Sequence, residues 1–171
     1  MTLNASDNLA GVAGTFYSVD GGPAQTYTTT FSVAGEGVHT VEFWSVDVAD
    51  NTEATHSLVI KIDTINPLVT AAANPTTAAK SPRPVTVTIS GNVTDGLSGV
   101  SSVNHVVIDE YGVTQPSGAV TLKANGNYSF TLTLPATKNG PDKNGHLYTI
   151  LVTATDQAGN SASATATLTI N

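Results

Sequence analysis

The sequence contains no cysteine, which excludes disulfide frameworks, zinc–thiolate sites and cysteine nucleophiles together. Charge is scarce: 11% of the 171 residues are charged, less than half the ~25% usual for soluble domains. Basic residues are rarest, 6 Lys and Arg against 13 Asp and Glu, for a net charge of −7. That balance repels a phosphate backbone, and no basic cluster offsets it, so nucleic acid and anionic membrane are poor partners. No stretch approaches the ~18 consecutive apolar residues of a membrane helix, so membrane insertion is not expected. No basic or apolar leader pattern follows Met1, which reads as a start inside a longer protein. Helical periodicity is nearly absent as well.

What replaces charge is Thr, Ser, Ala, Gly and Asn in alternating runs. Val85, Val87 and Ile89 alternate with Thr86 and Thr88. Tyr128, Phe130, Leu132 and Leu134 alternate with Ser129, Thr131 and Thr133. Tyr148, Ile150, Val152 and Ala154 form another such face, and Ala162, Ala164, Ala166, Leu168 and Ile170 the last. A period of two with β-branched Thr on the wet side describes antiparallel strands with one buried face. Asp20-Gly21-Gly22-Pro23, Asn125-Gly126-Asn127 and Asn139-Gly140-Pro141 supply turns between them. Many short strands with closely spaced turns predict a β-sandwich.

The chain repeats itself. Ser6-Asp7-Asn8-Leu9-Ala10-Gly11-Val12 matches Thr94-Asp95-Gly96-Leu97-Ser98-Gly99-Val100, and Asp47-Val48-Ala49-Asp50-Asn51 matches Asp156-Gln157-Ala158-Gly159-Asn160. Two tandem modules are expected, 1–63 and 64–171. The second has strands near 67–73, 84–94, 102–109, 118–123, 127–134, 146–155 and 161–170. The first has strands near 2–6, 13–19, 25–33, 38–47 and 54–62, and lacks the opening strand. Its apolar set after Asn51 is out of step with the set after Asn160, which predicts a β-bulge there.

These motifs resemble bacterial immunoglobulin-like tandem repeats of large surface and secreted proteins. The Asp63-Thr64-Ile65-Asn66-Pro67 linker, the Asp7–Val12 and Asp95–Val100 loops and the Asp156–Asn160 turn carry the resemblance. Asp50 departs from it, standing where the pattern has Gly. The resemblance implies an extracellular or cell-surface all-β chain of two tandem Ig-like antiparallel sandwiches, the first lacking its opening strand. It implies a non-catalytic spacer or stalk whose partners are neighbouring repeats, or alternatively an adhesion or carbohydrate-binding module.

In such a topology the loop after the second strand, the turn before the last strand and the entering linker share one end. Asp63, Asp95, Asp156 and Asn160 are then candidate ligands for calcium, which takes oxygen donors. Glu36 is a further oxygen donor for that junction. The same residues equally make Asx turns that cap backbone amides, so both readings stand. Asp142-Lys143-Asn144-Gly145 reads as a turn, since the later ligands of a calcium loop are missing. His39, His56, His105 and His146 have no metal-binding spacing. His39 and His146 both fall near the start of a penultimate strand, which suggests a shared structural position. Asp109 and Glu110 are adjacent and should face opposite ways. No nucleophile–base motif supports an enzyme. Trp44 is expected on the outer face with Glu42, where it is a candidate sugar contact. A missing strand also leaves an edge open to strand-pairing dimerisation.

Overall fold

The computed structural model describes every residue except Pro141, so the end of the expected Asn139-Gly140-Pro141 turn lies outside the described residues. The described residues carry strands and turns and no helix. The chain divides into two units, Met1–Thr64 and Ile65–Asn171.

The first unit is one antiparallel sheet. Its strands are β1 (Val12–Val19), β2 (Gln25–Thr26), β3 (Gly37–Asp47) and β4 (His56–Ile62), in the order β2-β1-β3-β4. Pairing sets Val41 between Val19 and Leu58, and Phe43 between Tyr17 and His56. These residues therefore share one face, and Val41 at its centre is fully buried. The expected strand at 2–6 does not form, and the one at 25–33 shrinks to two residues. What remains of a second layer is local: Met1 and Phe31 exchange backbone hydrogen bonds. The Phe31 ring stacks on Tyr17 at 3.8 Å. The anticipated bulge is present. Val46 bridges Thr52 while Phe43 pairs with His56, so one extra residue lies between the two pairs. Asp50 turns the chain with φ 64°, where its counterpart Gly159 has φ 97°. A left-handed non-glycine residue costs ~1–2 kcal/mol.

The second unit is a two-layer sandwich. Its strands are β5 (Leu68–Val69), β6 (Ala72–Asn74), β7 (Thr77–Ala78), β8 (Val85–Thr94), β9 (Val100–Asp109), β10 (Ser117–Ala119), β11 (Asn127–Leu134), β12 (His146–Asp156) and β13 (Ser161–Ile170). One sheet runs β10-β9-β12-β13-β7; the other runs β11-β8-β5, with β6 also on β8. Strand β12 lies in the middle of the first sheet and every second residue is buried, from His146 to Asp156. Tyr148, Ile150, Val152 and Ala154 fill that register and meet Val87, Ile89, Leu132 and Leu134 in one core. Each large aliphatic side chain so buried contributes ~1.5–3 kcal/mol.

The single opening strand expected at 67–73 is broken at Thr70. Its carbonyl accepts the Tyr128 hydroxyl at 2.6 Å. Gly91 stands opposite Tyr128 on the paired strand. A Cβ there would lie 1.9 Å from the Thr70 carbonyl oxygen and 2.6 Å from the Tyr128 hydroxyl. After this break β6 returns to β8, and the chain reaches the other sheet only at β7, which pairs parallel to β13.

One inward position is polar without reward. Both His105 ring nitrogens are buried without a hydrogen-bond partner. The ring packs tilted against Phe130 at 4.5 Å. Burial pushes its pKa below the ordinary value, so the folded form prefers the neutral ring. The unfolded chain then takes up the proton first, and stability falls as pH drops below about 6.5.

Three outcomes follow from this packing. Gly91→Ala destabilises the second unit by ~1–3 kcal/mol through overpacking. Gly96→Ala, with nothing within 4 Å of the added carbon, leaves the denaturation midpoint in place. His105→Leu raises the melting temperature and flattens the loss of stability below pH 6.5, both read in thermal melts across pH.

Candidate functional site

Asp95 and Asp156 share one end of the second unit. The Asp95 carboxylate accepts the Gly99 amide at 2.6 Å and the Leu97 amide at 3.3 Å, closing the loop between β8 and β9. Asp156 ends β12. Its Oδ1 accepts the Asn160 amide and its Oδ2 the Asn160 side-chain nitrogen, each at 2.8 Å. The Gln157 amide donates to the Gly99 carbonyl at 2.9 Å, tying the turn to the loop. Carboxylate oxygens of Asp95 and Asp156 lie within 4.8 Å of each other. Asp156 is only 2% exposed.

The first unit repeats most of the bonds of this end. Asp7 accepts the Leu9 and Gly11 amides at 2.9 and 2.8 Å. Asp47 accepts the Ala49 and Asn51 amides at 2.9 and 2.8 Å and the Asn51 side chain at 2.7 Å. The Val48 amide donates to the Gly11 carbonyl at 2.9 Å. The matching bulges recur too, between Val12 and Gly14 in β1 and opposite Thr155 and Asp156 in β9. The Leu9 amide, then that of Gly11, holds the Asp7 carboxyl below the usual carboxylate range. The Asn51 side chain and amide do the same for Asp47, with Asp7 beside it pulling the other way.

The remaining candidates are placed differently. Asp63 follows β4 directly and closes the first unit together with Thr64. Glu36 does not offer a free carboxylate: its Oε2 accepts the Thr64 amide at 2.7 Å and the Thr64 hydroxyl at 2.8 Å. Trp44 faces away from Val41 and Phe43, as its register requires, and stacks on Phe16 at 6.1 Å. Asp142 caps a turn by accepting the Asn144 and Gly145 amides at 3.1 and 3.0 Å.

The other end of the second unit holds a cluster that pattern reading missed. His146 Nε2 lies 2.9 Å from Asp109 Oδ1 in a buried contact, with side chains 3% and 0% exposed. Tyr111 stacks on His146 at 4.0 Å, and its hydroxyl donates to Asp142. Burial first, then that hydrogen bond, raises the Tyr111 pKa. Burial and the nearby Asp109 push Tyr148 up to about 12. Glu110 turns outward, as adjacency to Asp109 demands, and binds the Leu147 amide at 2.7 Å. The missed signal is parity: Asp109 and His146 both stand in the buried register of their strands. His39 and His146 do not share a position, because superposing Asp47 on Asp156 sets His39 on Tyr148.

The two-layer, mostly antiparallel sandwich of the second unit is the architecture of an immunoglobulin-like domain. Residues 65–170 match the family model of the bacterial Ig domain, and the chain belongs to that family. No curated protein matches the sequence. Among solved structures, the fibronectin(III)-like modules of CbhA from Clostridium thermocellum are similar at 14% identity and a TM-score of 0.42, over 98% of this chain and 82% of theirs. The D00-D0 domain of intimin is similar at 14% identity and 0.37, over 96% and 88%. A 1.5-MDa bacterial ice-binding adhesin is similar at 20% identity and 0.46; this chain spans 99% of itself and 56% of that chain.

The turns carry a testable consequence. Asp156→Ala strips a buried amide clamp and costs ~1–3 kcal/mol in chemical denaturation. Lowered carboxyls at Asp7 and Asp47 stabilise the fold above the ordinary value of about 3.9, and that contribution disappears as pH falls through their folded values. Carboxyl titration by NMR therefore finds both below 3.9.

Proposed function

We propose that the chain is a non-catalytic structural module of an extracellular or cell-surface protein, serving as a spacer or stalk among neighbouring Ig-like repeats. The observation that carries this reading is the recurrence of one turn architecture in both units, Asp7 with Asp47 and Asp95 with Asp156. A chain built to position its own ends spends its polar residues on turns. Its core is filled by aliphatic side chains and Tyr.

Calcium at this end is part of the proposal. An ion with ligands at about 2.3–2.6 Å can bridge carboxylate oxygens as close as those of Asp95 and Asp156. The linker enters the second unit beside them, since Leu68 pairs with Thr94. A bound ion would stiffen that entrance. At ten times Kd it adds ~1.4 kcal/mol. The melting temperature in millimolar calcium, compared with chelator, is expected to rise, and Asp95→Asn to remove the rise. An unchanged melt overturns the calcium reading and leaves the turn-capping role.

The second reading is adhesion through a carbohydrate. It is favoured by the outward Phe16–Trp44 pair, half-buried on the outer face of β1 and β3. A glycan array separates the two. The spacer reading predicts no retained glycan. Binding that disappears in Trp44→Ala replaces it with the carbohydrate reading.

A further inference from the structure

Each unit carries, at the end away from its aspartate turns, a histidine whose two ring nitrogens face groups that accept hydrogen bonds. In the first unit, His39 Nδ1 lies 2.8 Å from Asp20 Oδ2 and Nε2 lies 3.1 Å from the Gly35 carbonyl oxygen. In the second, His146 Nε2 lies 2.9 Å from Asp109 Oδ1 and Nδ1 lies 2.8 Å from the Thr137 carbonyl oxygen. A carbonyl oxygen has no proton to give. The two carboxylates already behave as acceptors. Asp20 Oδ1 accepts the Thr40 amide at 2.8 Å. Asp109 accepts the Tyr111 amide at 2.8 Å and the Gln115 side chain at 2.7 Å. A neutral imidazole has one N–H and one lone pair, so it satisfies only one of its two contacts. The imidazolium satisfies both.

We propose that His39 and His146 are clamps, each joining the end of the first long strand of its sheet to the loop before the central strand, and that at His39 the clamp is doubly protonated, so that a rise in pH releases the loop before β3. His39 joins Asp20, just past β1, to Gly35, just before β3. His146 joins Asp109, the last residue of β9, to Thr137 in the loop before β12. The two histidines reach this arrangement from different positions in the repeat, two residues out of step, so the contact is built twice and not inherited from one aligned residue.

Charged groups face both rings. Around His146 stand Asp109 from β9, Tyr111 from the following loop at 4.0 Å and Tyr148 from β12 at 4.2 Å. Glu110 binds the adjacent Leu147 amide, Asp142 binds Tyr111, and Lys138 acts on Asp142. Around His39 the facing charge is Asp20. Its hydrogen bond, then the Gly35 carbonyl, raises the His39 pKa, and His39 in turn lowers that of Asp20. The sign is set by the raised value. The contribution is complete below the unfolded value of about 6.5 and is lost as pH rises through the folded one.

The test uses the intact chain and nitrogen-15 spectra of the imidazole rings. His39 is expected to keep both ring nitrogens protonated to a higher pH than the ordinary value of about 6.5. As pH rises through its folded value, limited proteolysis is expected to begin in residues 27–36, before β3. His39→Gln abolishes the pH dependence of that cleavage. Where His39→Gln fails to fold, the ring spectrum of the unaltered chain decides. A His39 ring that loses its second proton at or below the ordinary value, or cleavage that does not change with pH, overturns the proposal.

Discussion

Everything in this chain is hung from a carboxylate that accepts amides a few residues ahead of it. Asp7 and Asp47 each take the amides two and four residues on, and Asp95 repeats the pattern. Asp156 takes the amide four residues on and adds the Asn160 side chain. Such a contact closes a loop without a hydrophobic core beneath it and without charge pairing. It also sets where the next strand begins, and so which side chains face inward. In a sequence with few charges, the acidic excess is concentrated at the points that need it.

From equal turns, the two units build unequal bodies. In the second, β8 and β11 lay Val87, Ile89, Leu132 and Leu134 over β12, and the sandwich closes. In the first, the same face of β1, β3 and β4 is covered by little more than Phe31 and the start of the chain. The turn chemistry therefore does not depend on the second sheet. It holds in a four-stranded sheet as well as in a sandwich.

Much of this was legible in the residues. Period-two alternation located β8, β11, β12 and β13 closely, since a strand buried on one face must alternate. The repeat also placed the bulge after Asn51, because a phase slip between two copies leaves no other explanation. The first unit's outer strands were less legible. Residues 2–6 and 25–33 have strand-forming composition, but pairing needs a partner that composition does not supply. The break at Thr70 was hidden for a related reason: it depends on Tyr128 reaching across from a distant strand. The Asp109–His146 pair was missed because attention to metal-binding spacing looks for neighbours in sequence, and these two are 37 residues apart.

The thin cover over Val41 bears on where the chain opens first. Val41 is the one fully buried hydrophobic side chain of the first unit among the described residues, against a continuous core in the second. Regions with few buried apolar contacts open at lower free energy than the rest of a protein. Residues 1–64 therefore open at a lower free energy than residues 65–171, and the sandwich stays shut while they do. Opening of the chain is stepwise, with the thinly covered sheet as its first step.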